Sequence, residues 1–424
     1  MTNREGLRRT LGLFDATSLG VGAMVGAGIF VITGISAGLA GPAVILSVVL
    51  AGIIASFTAL NFAELSSVIP KEGGGYEFAH EIISPFTGFM AGWMWLLSNV
   101  VAGAAVSIGL ASYFAILFPI VPLRIVAVIA CLLTTAINII GIKESSLVNN
   151  ALVLIKISIL CFFIAMGISY LNFQNLTPFM PNGWNGVLQG AAFIFFAYIG
   201  FARITTIAEE VKDPRRTIPL AIVLSLGISS ILYLSTSFIA VALLNYKHLA
   251  TSGSPLGDAI KVTGNPLAVI LVSIGALAAT TSVLLTTVIG VSRVSFAMSR
   301  NGELPSFMSN LHPRLGTPYL SILLIGVVMT SLAAFADFKN VIAISNFGSL
   351  CYYTIANLSA FLLRKKYPSS KRPFESPFYP LTPLVGIVTC GALLLFLTTE
   401  SWIAGIIGVM IGGVYYLARN NIKG

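Results

Sequence analysis

The chain has 424 residues, of which 56 % are hydrophobic and only 9 % charged, with a mean hydropathy of +0.93. A soluble domain carries about 25 % charged residues to keep its surface wet, so a water-soluble globule is excluded and the outer surface must face lipid. The net charge of +9 raises nucleic acid or anionic lipid as partners, but its distribution along the chain assigns it to membrane topology.

A bilayer-spanning helix needs roughly 20 consecutive apolar residues, because the hydrocarbon core is about 30 Å thick and each residue rises about 1.5 Å. Twelve such runs occur. The first six are Leu11–Ser36, Gly41–Ile69, Phe86–Phe118, Pro122–Ile142, Leu147–Tyr170 and Gly186–Ala208. The second six are Ile218–Leu244, Pro266–Ser299, Tyr319–Phe335, Phe338–Leu363, Leu381–Leu397 and Ser401–Leu417. In hydrocarbon every backbone polar group must bond within the protein, so these runs predict helices. They lack the short alternating pattern of a membrane β-barrel. The fold class is an all-α polytopic membrane protein without a soluble domain.

With the N-terminus inside, seventeen Lys and Arg fall on inner segments, from Arg4, Arg8 and Arg9 through Arg364–Lys366 to Arg419 and Lys423; four, Arg124, Lys247, Lys261 and Lys339, fall outside. That asymmetry predicts cytoplasmic N- and C-termini. Anionic lipid at Arg364–Lys366 is at most an accessory contact. Arg8 and Arg9 ahead of an apolar stretch imitate a signal peptide, but the stretch is too long and no small-residue cleavage site follows. Cys131, Cys161, Cys351 and Cys390 each sit in an apolar run without clustering, so they read as small buried hydrophobes and no metal is implied. His80, His248 and His312 read as solvated loop residues, and Asp15 and Glu64 as helix-end acids that pair with basic loops. Nothing has the pattern of a nucleophile triad, a metal cluster or a phosphate loop, which argues against an enzyme; no cofactor is implied.

Two runs are interrupted in mid-span. The first carries Gly20, Gly22, Gly26 and Gly28, and the sixth reads Phe195-Phe196-Ala197-Tyr198-Ile199-Gly200-Phe201-Ala202-Arg203. They are five runs apart, so a repeat of five helices would bring them into inverted correspondence. Such paired interruptions point to a transporter's midplane site, although Gly22 and Gly26 alone also suit close helix packing. Lys156, near the middle of the fifth run, is an ionisable residue too deep to reach the interface, and costs about 2.5–3.5 kcal/mol to insert.

At these residues the chain resembles the amino acid–polyamine–organocation superfamily, in particular its cationic and broad-specificity branch with a lysine in helix five. The resemblance covers nearly the whole chain. It rests on Gly26-Ala27-Gly28-Ile29-Phe30, on Pro70 to Tyr76, and on Phe196 to Phe201 followed by Ala208 to Pro219. It continues through Arg293 to Arg300, Asn301 to Pro305, His312-Pro313, Thr317-Pro318, Leu363-Arg364 and Arg372-Pro373-Phe374. It implies twelve transmembrane helices in the leucine-transporter fold. Residues 1–170 and 171–364 would be five-helix inverted repeats and 365–424 two peripheral helices. The implied activity is secondary amino acid transport at the cell membrane, with amino acids and protons as partners. Proton symport ranks before exchange and sodium symport. A sensing transceptor is the rival from another class, but such proteins carry extended tails that do not follow the last run here.

The same resemblance implies the site. Amides of Gly26, Ala27 and Gly28 would hold the substrate carboxylate, as the exposed N–H end of a broken helix suits an anion. Carbonyls of Met24, Phe196 and Ile199 would hold the amine, with Phe196 as an aromatic gate. Ser98, Asn99, Ala102, Gly103 and Ser345–Ser349 are candidates for side-chain selectivity. Their small, uncharged character favours small neutral amino acids or a broad range. Lys156 would occupy a position that holds sodium in other members, among Gly22, Val25, Thr281 and Ser282, and would carry the coupled proton. Many relatives carry an acid where this chain has Ala202. For Arg203, which follows it, the favoured reading is a reach to Glu209 or Glu210 in the inner vestibule; the other is an anionic substrate group.

Overall fold

The computed structural model describes residues 9–335 and 338–423, the side chains of 338–344 and 420–423 excepted. The side chains of Arg4, Arg8, Lys339 and Lys423, counted above among the loop charges, lie outside the described residues. Among the described residues there is no strand, only an isolated bridge between Leu11 and Val211. Eight helical stretches are long and apolar enough to cross a membrane.

The first interrupted run enters as α1 (Leu13–Met24), whose N-terminus is closed by Asp15 accepting from the Gly12 N–H at 2.9 Å. Val25 then leaves the helical region (φ −76°, ψ 94°), and the chain re-enters through a π turn, Gly28–Ile32, into α2 (Thr33–Ala40). No proline lies at this break. It follows the glycines, which lower helix propensity by about 1 kcal/mol each and let neighbouring backbones approach. The chain runs on through α3 (Val44–Val68), the short α4 (Gly75–Ile82), α5 (Pro85–Leu117), α6 (Leu123–Ile140) and α7 (Ile142–Ile168). Pro85 opens α5 behind Ser84, whose hydroxyl accepts from the Thr87 N–H, a first-turn arrangement that spends no helical hydrogen bond.

The second interrupted run is α8 (Gly183–Tyr198), which tightens at its end into a 3-10 stretch, Ile199–Glu210, with Ile207 outside helical geometry. Then come α9 (Pro214–Leu243), the short α10 (Tyr246–Thr251) and α11 (Pro255–Lys261), and the 35-residue α12 (Pro266–Arg300). The chain closes with α13 (Tyr319–Phe335), α14 (Phe338–Lys366), α15 (Leu381–Leu394) and α16 (Thr399–Lys423).

The second interrupted run packs in the middle: in an 18-residue apolar window of Gly183–Glu210, 94 % of the residues are buried, against 28 % in α7 and 22 % in Thr399–Arg419. The outer helices turn large apolar side chains such as Leu154, Ile231, Val327 and Val388 outward, as a lipid-facing ring requires. Cys131 and Cys390 are buried, but Cys161 is exposed on that outer ring and Cys351 is half-buried, so not all four cysteines are core residues.

Candidate functional site

The two breaks meet. A Cβ on Gly28 would strike Ala197, and one on Gly200 would strike the backbone of Ala23 and Met24. Only glycine allows main chain this close to main chain. Around the contact lies a small cavity lined by Met24, Ala27, Gly28, Phe196, Ile199 and Arg203, with Ala102, Val106 and Val283 completing the wall. About 10 Å³ is open to the centre of a water molecule, roughly one water's worth. The helices must part to admit anything the size of an amino acid.

Of the residues expected around the ligand, Met24, Ala27, Gly28, Phe196, Ile199 and Ala102 line this cavity. Gly26 lies at the break itself, against Val283 of α12. The Ile199 carbonyl accepts from the Tyr353 hydroxyl at 2.5 Å, leaving it one lone pair. Ser98 is elsewhere: its hydroxyl is bound to Ser345 and Ser349, joining α5 to α14. Gly103 faces Met329 of α13. Asn99 does not line the cavity but holds Arg203, which does.

Lys156 is fully buried on α7. Its Nζ donates to the carbonyls of Val21 (3.2 Å), Gly22 (3.0 Å) and Val25 (2.7 Å), and to Ser282 Oγ (3.1 Å). The break makes this nest. Ile29 N–H bonds to Gly26 O and not to Val25 O, so the Val25 carbonyl has lost its helical donor and turns to the lysine. Thr281 is half-buried; the acceptor on α12 is Ser282. The Ser282 hydroxyl donates in turn to Asn149 Oδ1 at 2.7 Å. Three bonds at a time, each worth about 1.5–3 kcal/mol to a charged donor, offset a burial cost of several kcal/mol per ion. The nest is built for an ammonium.

The expectation for Arg203 is corrected. Glu209 is taken by Arg300 at 2.8 Å, and Glu210 by Arg293 at 3.0 Å. Arg203 turns to the cavity, 3 % exposed, with Nε and Nη2 on Asn99 Oδ1 (3.2 and 2.9 Å) and Nη1 on Thr286 Oγ1 (3.2 Å) and the Val283 carbonyl (3.5 Å). The cavity wall is therefore not uncharged.

Away from the cavity, Arg293 also faces Glu72 at 3.5 Å, and both are buried. Burial pushes the Glu72 carboxyl well above its usual range, Glu210 adds to the rise, and Arg293 opposes it. The Thr10 and Leu11 N–H groups bond to the Glu210 carbonyl, and Lys212 N–H to Leu11 O, tying the start of the chain to the end of the 3-10 stretch. This cluster was missed from sequence because Glu72, Glu210 and Arg293 are far apart in the chain; their depth among glycine-rich and apolar residues was the only signal.

Other charged residues also differ from expectation. Glu64 meets Arg364 in the last turn of α14 at 2.8 Å and Arg372 in the loop after it at 3.8 Å. Asp15 pairs with no basic loop among the described residues: beyond its own N-terminus it accepts from Asn150 at 2.8 Å. His80 lies on α4 beside Glu303 at 3.3 Å, which draws its imidazole toward the protonated form. His248 is on α10, and His312 Nδ1 accepts from the Arg314 and Leu315 N–H groups.

Residues 11–417 match the sequence profile of a family described as amino acid permease. The chain is 36 % identical to the methylthioribose transporter of Bacillus subtilis, over 97 % of this chain and 93 % of that protein. It is 33 % identical to the branched-chain amino acid permease BcaP of the same organism, over 98 % and 94 %. It is 36 % identical to the chloroplastic cationic amino acid transporter 9 of Arabidopsis thaliana, over 74 % of this chain and 59 % of that one. With the glycine breaks, the apolar helices and full-length matches in agreement, the chain belongs to the amino acid permease family of the amino acid–polyamine–organocation superfamily and is a multi-pass membrane protein.

Proposed function

We propose that this protein is a secondary amino acid transporter of the cell membrane, proton-coupled and independent of sodium, with both termini in the cytoplasm. It would work by alternating access about twelve helices in two inverted five-helix repeats, residues 1–170 and 171–364, with 365–424 peripheral. The backbone of the substrate, common to all α-amino acids, would be gripped by the amides of Gly26, Ala27 and Gly28 and by carbonyls of Met24, Phe196 and Ile199. Small walls at Ala27, Ala102 and Val106 suit short side chains.

The observation that carries the coupling is the nest around Lys156. Three of its four acceptors are carbonyls, which can only accept. An ammonium satisfies them; a neutral amine would aim its lone pair at an acceptor or leave a carbonyl unpaired in a buried site. Protonation thus ties α7 to α1 and α12, and loss of the proton frees them. No cation besides the lysine's own is needed at this point.

Accumulation of labelled amino acids in proteoliposomes under an imposed pH gradient, without sodium, tests this. The wild type should accumulate substrate and Lys156→Ala should not, while still exchanging it. Equal gradient-driven uptake by both, or a strict sodium requirement, would exclude the coupling. Transport by exchange alone, without gradient-driven accumulation, would make the protein an antiporter.

A further inference from the structure

Arg203 is a buried cation at the substrate cavity, with no acid against it among the described residues. Among the described residues it makes no ion pair, and the carboxylates nearest to it in the chain, Glu209 and Glu210, are held by Arg300 and Arg293. All its partners are neutral: Asn99 Oδ1, Thr286 Oγ1 and the Val283 carbonyl. Those partners are themselves oriented. Asn99 spends its amide on the Trp95 carbonyl at 2.9 Å, which leaves its oxygen for the guanidinium. Thr286 points its hydroxyl hydrogen back to its own helix, at the Ser282 or Val283 carbonyl (3.0 Å each). The guanidinium is held in place but its charge is not cancelled. Of its five N–H donors, the four recorded bonds leave one on Nη2 to spare.

An ionisable group at membrane depth is costly, so one without a counter-charge marks a functional site. Arg203 lies between α5, through Asn99, and α12, through Thr286 and Val283, and shares the cavity with the Ala27–Gly28 wall. A substrate whose α-carboxylate rests on that wall would direct its side chain toward the guanidinium.

The geometry points to Arg203 as the anchor for a second, distal anionic group, so that the preferred substrates are short amino acids with an acidic side chain. This rests on the amino acid reading above and narrows it. Charge-assisted pairing with a guanidinium is strong and directional, and bidentate with a carboxylate. The neutral amide isostere of the same substrate keeps the shape and loses the charge.

The test compares aspartate and glutamate with asparagine and glutamine, and with alanine, for binding to the purified full-length protein and for counterflow in proteoliposomes. The wild type should favour each acid over its amide by about 10-fold or more, the size of one charged hydrogen bond. Arg203→Gln should erase that preference, weakening the acids by about 10-fold more than the amides or alanine. Arg203→Lys should recover part of it. If the wild type takes neutral amino acids and ignores acids, the inference fails and the transporter reading stands. If Arg203→Gln weakens all substrates equally, Arg203 serves the shared backbone or the fold and the inference again fails. Should that variant not fold, the wild-type ratio of acid to amide still decides. No uptake of any amino acid by the wild type would overturn the broader reading instead.

Discussion

Ser282 and Thr286 stand one turn apart on α12, and each accepts a hydrogen bond from a different buried cation, Lys156 at 3.1 Å and Arg203 at 3.2 Å. The Thr286 hydroxyl also reaches the Ser282 carbonyl at 3.0 Å. A tilt of α12 therefore moves both acceptors together. If Lys156 carries the coupled proton and Arg203 meets the substrate, α12 gives the two a short physical path.

The two halves of that path should separate by mutation. Ser282→Ala removes an acceptor from the lysine and should lower pH-driven accumulation by about 10-fold, leaving the ranking of substrates intact. Thr286→Val, nearly isosteric, should leave gradient coupling and disturb the ranking. Uptake with and without a pH gradient, over a substrate panel, distinguishes them. Identical profiles for the two variants would mean that the nests do not act separately.

Gly28 and Gly200 sit where the broken segments touch, and the atoms in the way of a side chain are those of Ala197 and the backbone of Ala23 and Met24. Gly200→Val should therefore cost about 3 kcal/mol of overpacking against main chain that cannot yield, and lower the thermal midpoint as well as abolish transport. Gly26→Val meets a side chain first, that of Val283, with the Ala279 carbonyl behind it. It should keep more stability while still losing substrate. Thermal unfolding in detergent beside ligand binding separates the two cases.

If amides at the first break hold the substrate carboxylate, amino acid methyl esters should compete poorly with their parent acids. An ester neither carries the negative charge nor accepts as strongly from N–H donors. Competition against a labelled substrate reads this directly, and equal potency of ester and acid would remove the amide grip.

The Glu72–Arg293–Glu210 cluster should make closure at that end of the bundle pH-sensitive. Glu72 in the packed cluster holds its proton to a higher pH than a solvated carboxyl does, through burial and Glu210. Between the ordinary carboxylate range and that raised value, the closed form binds more protons than an open, hydrated one. Acidification should then favour closure, and a rise in pH through the raised value should weaken it. Glu209, Arg293 and Arg300 also act on Glu72 and remain charged across the range. Glu72→Gln mimics the protonated form and should keep the end closed at all pH. Accessibility of cysteines introduced beside Arg300, against pH, checks this; an unchanged pH profile in the variant would exclude Glu72.

Much was legible in the sequence because lipid imposes a simple rule. Apolar runs must be helices, mid-span glycines mark where they can break, and a lysine in the middle of Leu152–Leu160 cannot reach water. Those constraints act along one segment, so reading one segment suffices. Arg203 shows where this stops. At 3.6 residues per turn, residues seven apart share a face, to within about 20°, and Arg203 would lie over Glu210. The stretch Ile199–Glu210 is instead wound as a 3-10 helix. Three-residue turns and the non-helical Ile207 between them take Glu210 off the face of Arg203, and the guanidinium turns to the cavity while Glu210 goes to Arg293. The stretch packs against α1 and α12, and no local pattern of residues announces its tighter winding. Only the tertiary structure decided which buried cations meet an opposite charge: among the described residues Arg293 does, and Lys156 and Arg203 do not.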